Sequence, residues 1–206
     1  MSLILVDDFK MSNGSSIGHF NVIKCKSLDL GKNAKIGHFN IVKGYLELIM
    51  DSDATIVNCN RMISLRKSKT YQLPKLNMRS GAKIVSRHFF DLTSNIEIGE
   101  RSNFAGAYSR CWTHSFLYGK KKHVRLDGDI VIGQDCYIGA SCILLPGISI
   151  GDNITLGAGT TCSKSIEKQG LYVSSSLRYI AFDADERIAS LGEPSAVIDG
   201  MERFHK

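Results

Sequence analysis

Between residues 132 and 167 the hydrophobic positions recur every six residues: IGQDCY from Ile132, IGASCI from Ile138, LLPGIS from Leu144, IGDNIT from Ile150, LGAGTT from Leu156 and CSKSIE from Cys162. An apolar residue leads each unit, glycine follows in four of the six, and the fifth position holds Cys136, Cys142, Ile148, Ile154, Thr160 or Ile166. A period of six fits neither an amphipathic helix nor a half-buried strand that alternates in twos. It suits a chain whose short strands each bury two side chains and then turn a corner tolerated by glycine or a small polar residue. Three such units of six close one 18-residue coil of a solenoid. Cys136, Cys142 and Cys162 then point inward, where cysteine packs as a small hydrophobe.

The frame recurs upstream, more loosely and in phase, as SGAKIV from Ser80, SRHFFD from Ser86, LTSNIE from Leu92, IGERSN from Ile98 and FAGAYS from Phe104. Near the N-terminus IGHFN occurs at Ile17 and again at Ile36, one coil and one inserted residue apart, with LGKNAK between them. This sets His19 and His38 at equivalent positions, as a solvent-exposed ladder rather than a site. Residues 42–79 hold the pattern weakly. The phase is lost between Ser115 and Ile130, so FLYGKKKHVRLDGD (residues 116–129) is expected to leave the solenoid as a loop. After Ile166 the frame stops, and residues 181–206 are predicted as a capping segment with a short helix started by Asp183, with Asp185 and Glu186 in its first turn. Such a cap would cover the unpaired edge of the last coil. The expected organisation is one β-helical domain over 1–180 and this segment after it.

Composition narrows the class. Of 206 residues, 43% are hydrophobic and 22% charged, too apolar for a disordered chain and too polar for a membrane bundle. No apolar run approaches the roughly 18 residues that span a bilayer, and MSLILVDDFK at the start carries two aspartates where an export signal would continue its apolar stretch. A cytoplasmic protein is expected. Six cysteines without a CxxC argue against a disulfide framework. The balance of 26 basic against 20 acidic residues, +6, favours polyanionic small molecules, and no interleaved basic and aromatic stripe points to nucleic acid.

The repeat resembles the hexapeptide-repeat acyltransferases, and RCWTHSF before the basic excursion resembles their branch that acetylates bacterial surface polysaccharides. The resemblance implies an all-β, left-handed parallel β-helix that forms homotrimers, with an excursion loop and a short C-terminal helix. It implies acetyl-coenzyme A as donor, a sugar or glycan as acceptor, no metal, and direct transfer with His114 as general base, a task suited to an imidazole that titrates near neutral pH. Trp112 would wall off water, and Lys122 and His123 in the excursion would contact the acceptor or its phosphates. His88 and Asp91, in SRHFFDLTSN, are further candidates, with Asp91 orienting a histidine and stabilising its cation or His88 binding the acceptor; an 18-residue coil takes His88 to Gly106 and not to His114, so they would meet only across a corner or a subunit boundary. On the donor side the family's motif sets the Ala140 N–H at the thioester carbonyl, Ala158 at the pantetheine arm, Ser163 and Lys164 at the adenosine end, and Arg178 at the 3′-phosphate. There YVSSSLRYI departs from the family pattern at Ser174 and Ser176.

Two other readings stand beside this one. The same prism hosts γ-carbonic-anhydrase-like zinc sites, for which His88, His114 and His123 are the available ligands. A non-catalytic β-helix serving as a binding scaffold would have no affinity for coenzyme A and no use for His114.

Overall fold

The computed structural model describes residues 1–69, 72–174, 184–198 and 200–205. Parallel strands stack coil upon coil into faces around one continuous apolar core. One face is an eight-stranded sheet; the other two share a thirteen-stranded sheet because the long strand Val22–Leu30 turns a corner and pairs on both. Inward residues stack in columns, for example Ile17 on Ile36, Ile56, Ile84, Phe104, Ile138, Leu156 and Tyr172. Cys136, Cys142 and Cys162 lie in this core, as does Cys111.

The register corrects the repeat arithmetic. In this column the step from Ile138 to Leu156 keeps the coil of 18, as do Ile132 to Ile150 and Leu144 to Cys162 on the other faces; Ile17 to Ile36 is 19, and Ile36 to Ile56 and Ile84 to Phe104 are 20. In the upstream coils Ile84 and Phe90 lead the buried positions, while Ser80 is exposed, so the frame started at Ser80 is out of phase there. Residues 42–79 are regular after all: strands Glu47–Met50, Thr55–Asn58, Arg61–Ile63 and Lys75–Met78 lie within them, and the extra chain between the last two carries the 3₁₀ turn Lys67–Lys69. The glycine after each lead residue serves stacking rather than an unusual backbone angle. A Cβ at Gly139 would sit 2.7 Å from the Ala158 nitrogen of the next coil. The left-handed corner positions are filled instead by residues such as Phe39 (φ 58°), Arg87 (φ 59°) and Tyr108 (φ 69°).

The excursion is not a loop. His114–Tyr118 and His123–Asp127 form an antiparallel hairpin, and Ile130–Ile132 rejoins the prism. The C-terminal helix Ala184–Ala189 and the hairpin Ala196–Ile198/Met201–His205 dock there rather than on the end of the solenoid. Met201–His205 pairs in parallel with His123–Asp127, and Ile188 and Phe204 join Val124 and Leu126 in a second small core. The last coil still carries Gly170–Tyr172, paired with Ile154–Leu156. The helix start expected at Asp183 lies outside the described residues.

Candidate active site

His114 opens the hairpin at the point where the chain leaves the prism. One coil earlier, the strand Phe89–Asp91 ends beside it, because Phe90 is in register with Cys111. Asp91 Oδ2 lies 2.7 Å from His114 Nδ1 and also accepts the Thr113 N–H at 2.9 Å. Thr93 donates its hydroxyl to Asp91 Oδ1 at 2.9 Å, and Thr93 Oγ1 itself lies 3.1 Å from His114 Nδ1. The Thr113 hydroxyl faces the Asp91 carbonyl at 2.8 Å and Oδ2 at 3.0 Å, while accepting the N–H groups of Thr93 and Ser94, both at 2.9 Å. A carboxylate accepts only, so the proton sits on His114 Nδ1, and in the neutral ring Nε2 is the nitrogen left to accept. Nε2 has no hydrogen-bond partner among the described residues. Asp91 is 8% exposed at its side chain and His114 21%, so the ring reaches solvent from a buried anchor. Trp112 and Phe116 stand edge-on to the ring at 6.4 and 5.4 Å. Asp91 and His114 therefore meet within one chain. The sequence arithmetic missed this because the coil here runs 21 residues, from Phe90 to Cys111.

His88 belongs to a different structure. The buried side chains Asn21, Asn40 and Asn60 stack coil on coil, each Oδ1 accepting the N–H of the rung that follows: Asn40, Asn60 and then His88 at 2.8–2.9 Å. His88 continues the ladder with Nδ1, which accepts the Ser109 N–H at 3.1 Å, and Ser109 Oγ accepts the Cys142 N–H. A rung that must accept is neutral. Burial accordingly pushes His88 down to about 4, against a weaker opposite pull from the Phe104 and Gly106 carbonyls. Its Nε2 is buried without a partner. The structure thus places His88 in the ladder, apart from the Asp91–His114 pair, and in the lining of the neighbouring cleft.

The hairpin carries Lys122 and His123 away from His114. His114 faces Asp127 across the strands and Tyr118 faces His123, so the tip lies about 13 Å along the hairpin. Lys122 is ion-paired to Glu202 of the C-terminal strand at 2.6 Å, and His123 packs on Tyr118. What the hairpin brings to the site is support. Arg125 and Asp127, both buried, pair at 2.6 Å, with Asp127 directly opposite His114 across the two strands. Burial pushes the Asp127 carboxyl up against the pull of Arg125. The sequence signal for this pair was opposite charge two apart on one strand face, hidden in a segment read as loop.

A corner on the other side of the eight-stranded face holds the donor candidates. In the first coils its N–H groups are capped by the next coil: His19 N donates to His38 Nδ1 at 2.9 Å and His38 N to Asn58 Oδ1 at 2.7 Å. Ala140 and Ala158 occupy the same corner position, have no side chain that can cap, and make no such bond among the described residues. Ser163 and Lys164 are exposed beyond the strand Thr161–Cys162. Arg178 lies outside the described residues. Among the described residues no three His, Cys, Asp or Glu side chains converge to hold a metal ion.

Residues 129–163 match the family model described as the hexapeptide repeat of succinyl-transferase. Over 65 residues, 31% of the chain, the protein is 37% identical to a probable macrolide acetyltransferase of Lysinibacillus sphaericus, and over 68 residues, 32% of the chain, 37% identical to a chloramphenicol acetyltransferase of Agrobacterium fabrum. The matches span about a third of those relatives, 36% and 32% of their length. Among solved structures, the polysialic acid O-acetyltransferase OatWY is similar with a TM-score of 0.52 at 15% identity, over 91% of this chain and 97% of that one. A variant of AntD, an N-acyltransferase of Bacillus cereus in complex with dTDP-4-amino-4,6-dideoxyglucose and coenzyme A, gives 0.50 at 16% identity, over 86% and 91%. At these identities the likeness is one of fold. The chain carries the hexapeptide repeat and folds as the left-handed parallel β-helix of the acyltransferases it resembles.

Proposed function

We propose that the protein is an acyltransferase that moves an acetyl or similarly short acyl group from acyl-coenzyme A to a hydroxyl or amine of a sugar, in the making of a surface polysaccharide. The observation that carries this reading is the Asp91–His114 pair, set where a hexapeptide prism is broken, with Nε2 unpartnered. The acyltransferase names of the matched relatives, the sugar acceptors named for OatWY and AntD, and the coenzyme A bound to AntD support the chemistry and its two substrates.

In this reading the acceptor O–H or N–H gives its proton to His114 Nε2 as its oxygen or nitrogen attacks the thioester carbonyl. Asp91 holds the ring in the required tautomer and stabilises the imidazolium that forms. The C–S bond then breaks, the acyl group stays on the acceptor, and the proton passes from Nε2 to the departing thiolate. The uncapped N–H of Ala140 is the candidate donor to the carbonyl oxygen as it gains charge, a contribution of about 3 kcal/mol for a preorganised donor. Ala158, Ser163 and Lys164 follow along the same corner toward the nucleotide end. The donor groove would lie between prisms of a homotrimer, so assembly is part of the proposal.

The test is thioester cleavage and donor binding in His114→Ala. Acetyl-coenzyme A at 100 times its dissociation constant should stabilise both wild type and variant by about 2.7 kcal/mol in a thermal-shift titration. Turnover in the variant should fall about 100-fold or more. Unchanged turnover removes the mechanism, and no shift with the coenzyme alongside a loss with chelator would favour a metal enzyme.

A further inference from the structure

We infer that the acceptor is an anionic sugar, held by three arginines and an aromatic wall next to His114; the inference rests on the acyl-transfer reading for its purpose but not for its test. A cleft of about 410 Å³ opens on the face outside the His88 rung, and Arg61, Arg87 and Arg110 line it together with Phe89, Tyr108 and Trp112. Arg61 and Arg110 flank Phe89 in register on successive coils, which sets their backbones about 10 Å apart at the usual strand spacing. Arg87 enters from the corner two residues before Phe89. All three arginines are exposed, none has an ion-pair partner among the described residues, and no carboxylate lines the cleft.

Three arginines elsewhere in the chain are neutralised, while the exposed Arg66 and Arg187 stand singly rather than in a cluster. Arg79 meets Glu97, Arg101 meets Asp135 and Arg125 meets Asp127. Three unpaired guanidinium groups around one cleft repel one another, a cost that an anion seated between them reverses. Guanidinium forks match carboxylate and phosphate oxygens in a bidentate way that lysine does not. The aromatic side adds the second half of the recognition. Phe89 and Trp112 pack with ring centroids 5.1 Å apart, and Trp112 reaches from the cleft to the edge of the His114 ring. A sugar ring resting on that wall, with its acidic group toward the arginines, has a hydroxyl on the His114 side. A carboxylate sugar and a nucleoside diphosphate sugar share this chemistry.

Trp112 is the only tryptophan of the chain, so its fluorescence reports on this cleft without a label. The experiment titrates the intact protein with trigalacturonate, with UDP-glucose and with neutral maltotriose, at low and at physiological salt. Saturable change with one or both anionic probes, weakened by salt and at least tenfold tighter than with maltotriose, is the expected result. It shows which acidic group is read. Arg61→Gln and Arg110→Gln should each weaken the anionic probe tenfold or more and leave maltotriose and acetyl-coenzyme A binding unchanged. Equal binding of the neutral sugar, or arginine variants that bind the anion as wild type does, overturns the inference, as does loss of assembly in those variants on size-exclusion chromatography, which would make the arginines a subunit contact. Anion binding without any affinity for acetyl-coenzyme A would leave the cleft standing and sink the acyl-transfer reading; the reverse pattern would do the opposite.

Discussion

Replacing His88 with asparagine separates a structural rung from a titrating one. In the native ladder Nδ1 of His88 does the work of the Oδ1 atoms of Asn21, Asn40 and Asn60, accepting one backbone N–H from the next coil. Asparagine supplies the same acceptor and removes the buried, unpartnered Nε2. It also leaves a void of about 40 Å³, worth roughly 1 kcal/mol at the usual cavity cost, against about 1–3 kcal/mol for an unsatisfied buried polar group. At pH 7.5, His88→Asn should therefore stay within about 1 kcal/mol of wild type. His88→Ala strands the Ser109 N–H and opens a larger void, and should cost about 3 kcal/mol. The decisive difference is with pH. The folded-state value of His88 is depressed to about 4 from an ordinary 6.5, so between these values the unfolded chain binds the extra proton, and native stability falls as pH falls through that window. From pH 7.5 to pH 5 this amounts to about 2 kcal/mol, present in wild type and absent in His88→Asn. Urea unfolding at the two pH values, at one fixed protein concentration, measures it. Parallel pH dependences in the two proteins would refute the ladder assignment.

The remaining expectations concern the site and its support. Asp91→Asn keeps an acceptor for His114 but not the charge that stabilises the imidazolium, and should lower kcat by about 100-fold while leaving the KM for acetyl-coenzyme A unchanged in steady-state assays. Phe204→Ala empties the small core that pins the hairpin, at a local cost of about 3 kcal/mol. Hydrogen exchange should speed up across His114–Tyr118 and His123–Asp127 and kcat should fall, with the coils still protected. Asp127→Asn leaves Arg125 buried and uncompensated and should destabilise the protein by about 3 kcal/mol in chemical unfolding. Cys59 is the exposed cysteine and the other five are buried, with burial pushing the Cys111 thiol well up and the Cys25 thiol, helped by the Asp7 charge, to about 12, so native protein should give one fast thiol equivalent per chain and six after unfolding.

The prism was legible because two inward positions per six residues leave a period that no helix or sandwich produces. His114 was legible because it stands where that period ends. Its partnership with Asp91 was hidden by the assumption of one coil length: the clean C-terminal coils have 18 residues, and carrying that number upstream put His88 and Asp91 out of reach. The distance of Lys122 and His123 from His114 was hidden for a related reason. A basic run beside a catalytic candidate in the sequence lies about 13 Å from it once the run becomes the tip of a hairpin. Thr93 and Thr113 gave no signal, since a hydroxyl that organises a buried carboxylate and one on a surface turn are the same letter.

One physical problem runs through the whole molecule, which is how each coil's corner N–H groups find acceptors in the next. The amide ladder of Asn21, Asn40 and Asn60 answers it by repetition, and His88 and Ser109 carry the answer on with other acceptors as the coils change length. Where the chain leaves the prism no regular rung is available. Thr113 Oγ1 takes the N–H groups of both Thr93 and Ser94, and Asp91 takes that of Thr113. The buried carboxylate that holds His114 is thus also the group that closes the backbone at the exit, so the same exit that interrupts the fold fixes the imidazole proposed as the base. At the opposite corner the sequence changes from His19 and His38 to Ala140 and Ala158, and the N–H groups that earlier coils satisfy among themselves are uncapped among the described residues, which is where the proposal seats the donor. Placing a histidine or asparagine at 158 would extend the capped ladder to Ala140: Ala158→Asn should lower affinity for acetyl-coenzyme A by about tenfold, the worth of one hydrogen bond, with the prism's unfolding unchanged, and an unaltered affinity would mean that this corner is not where the donor lies.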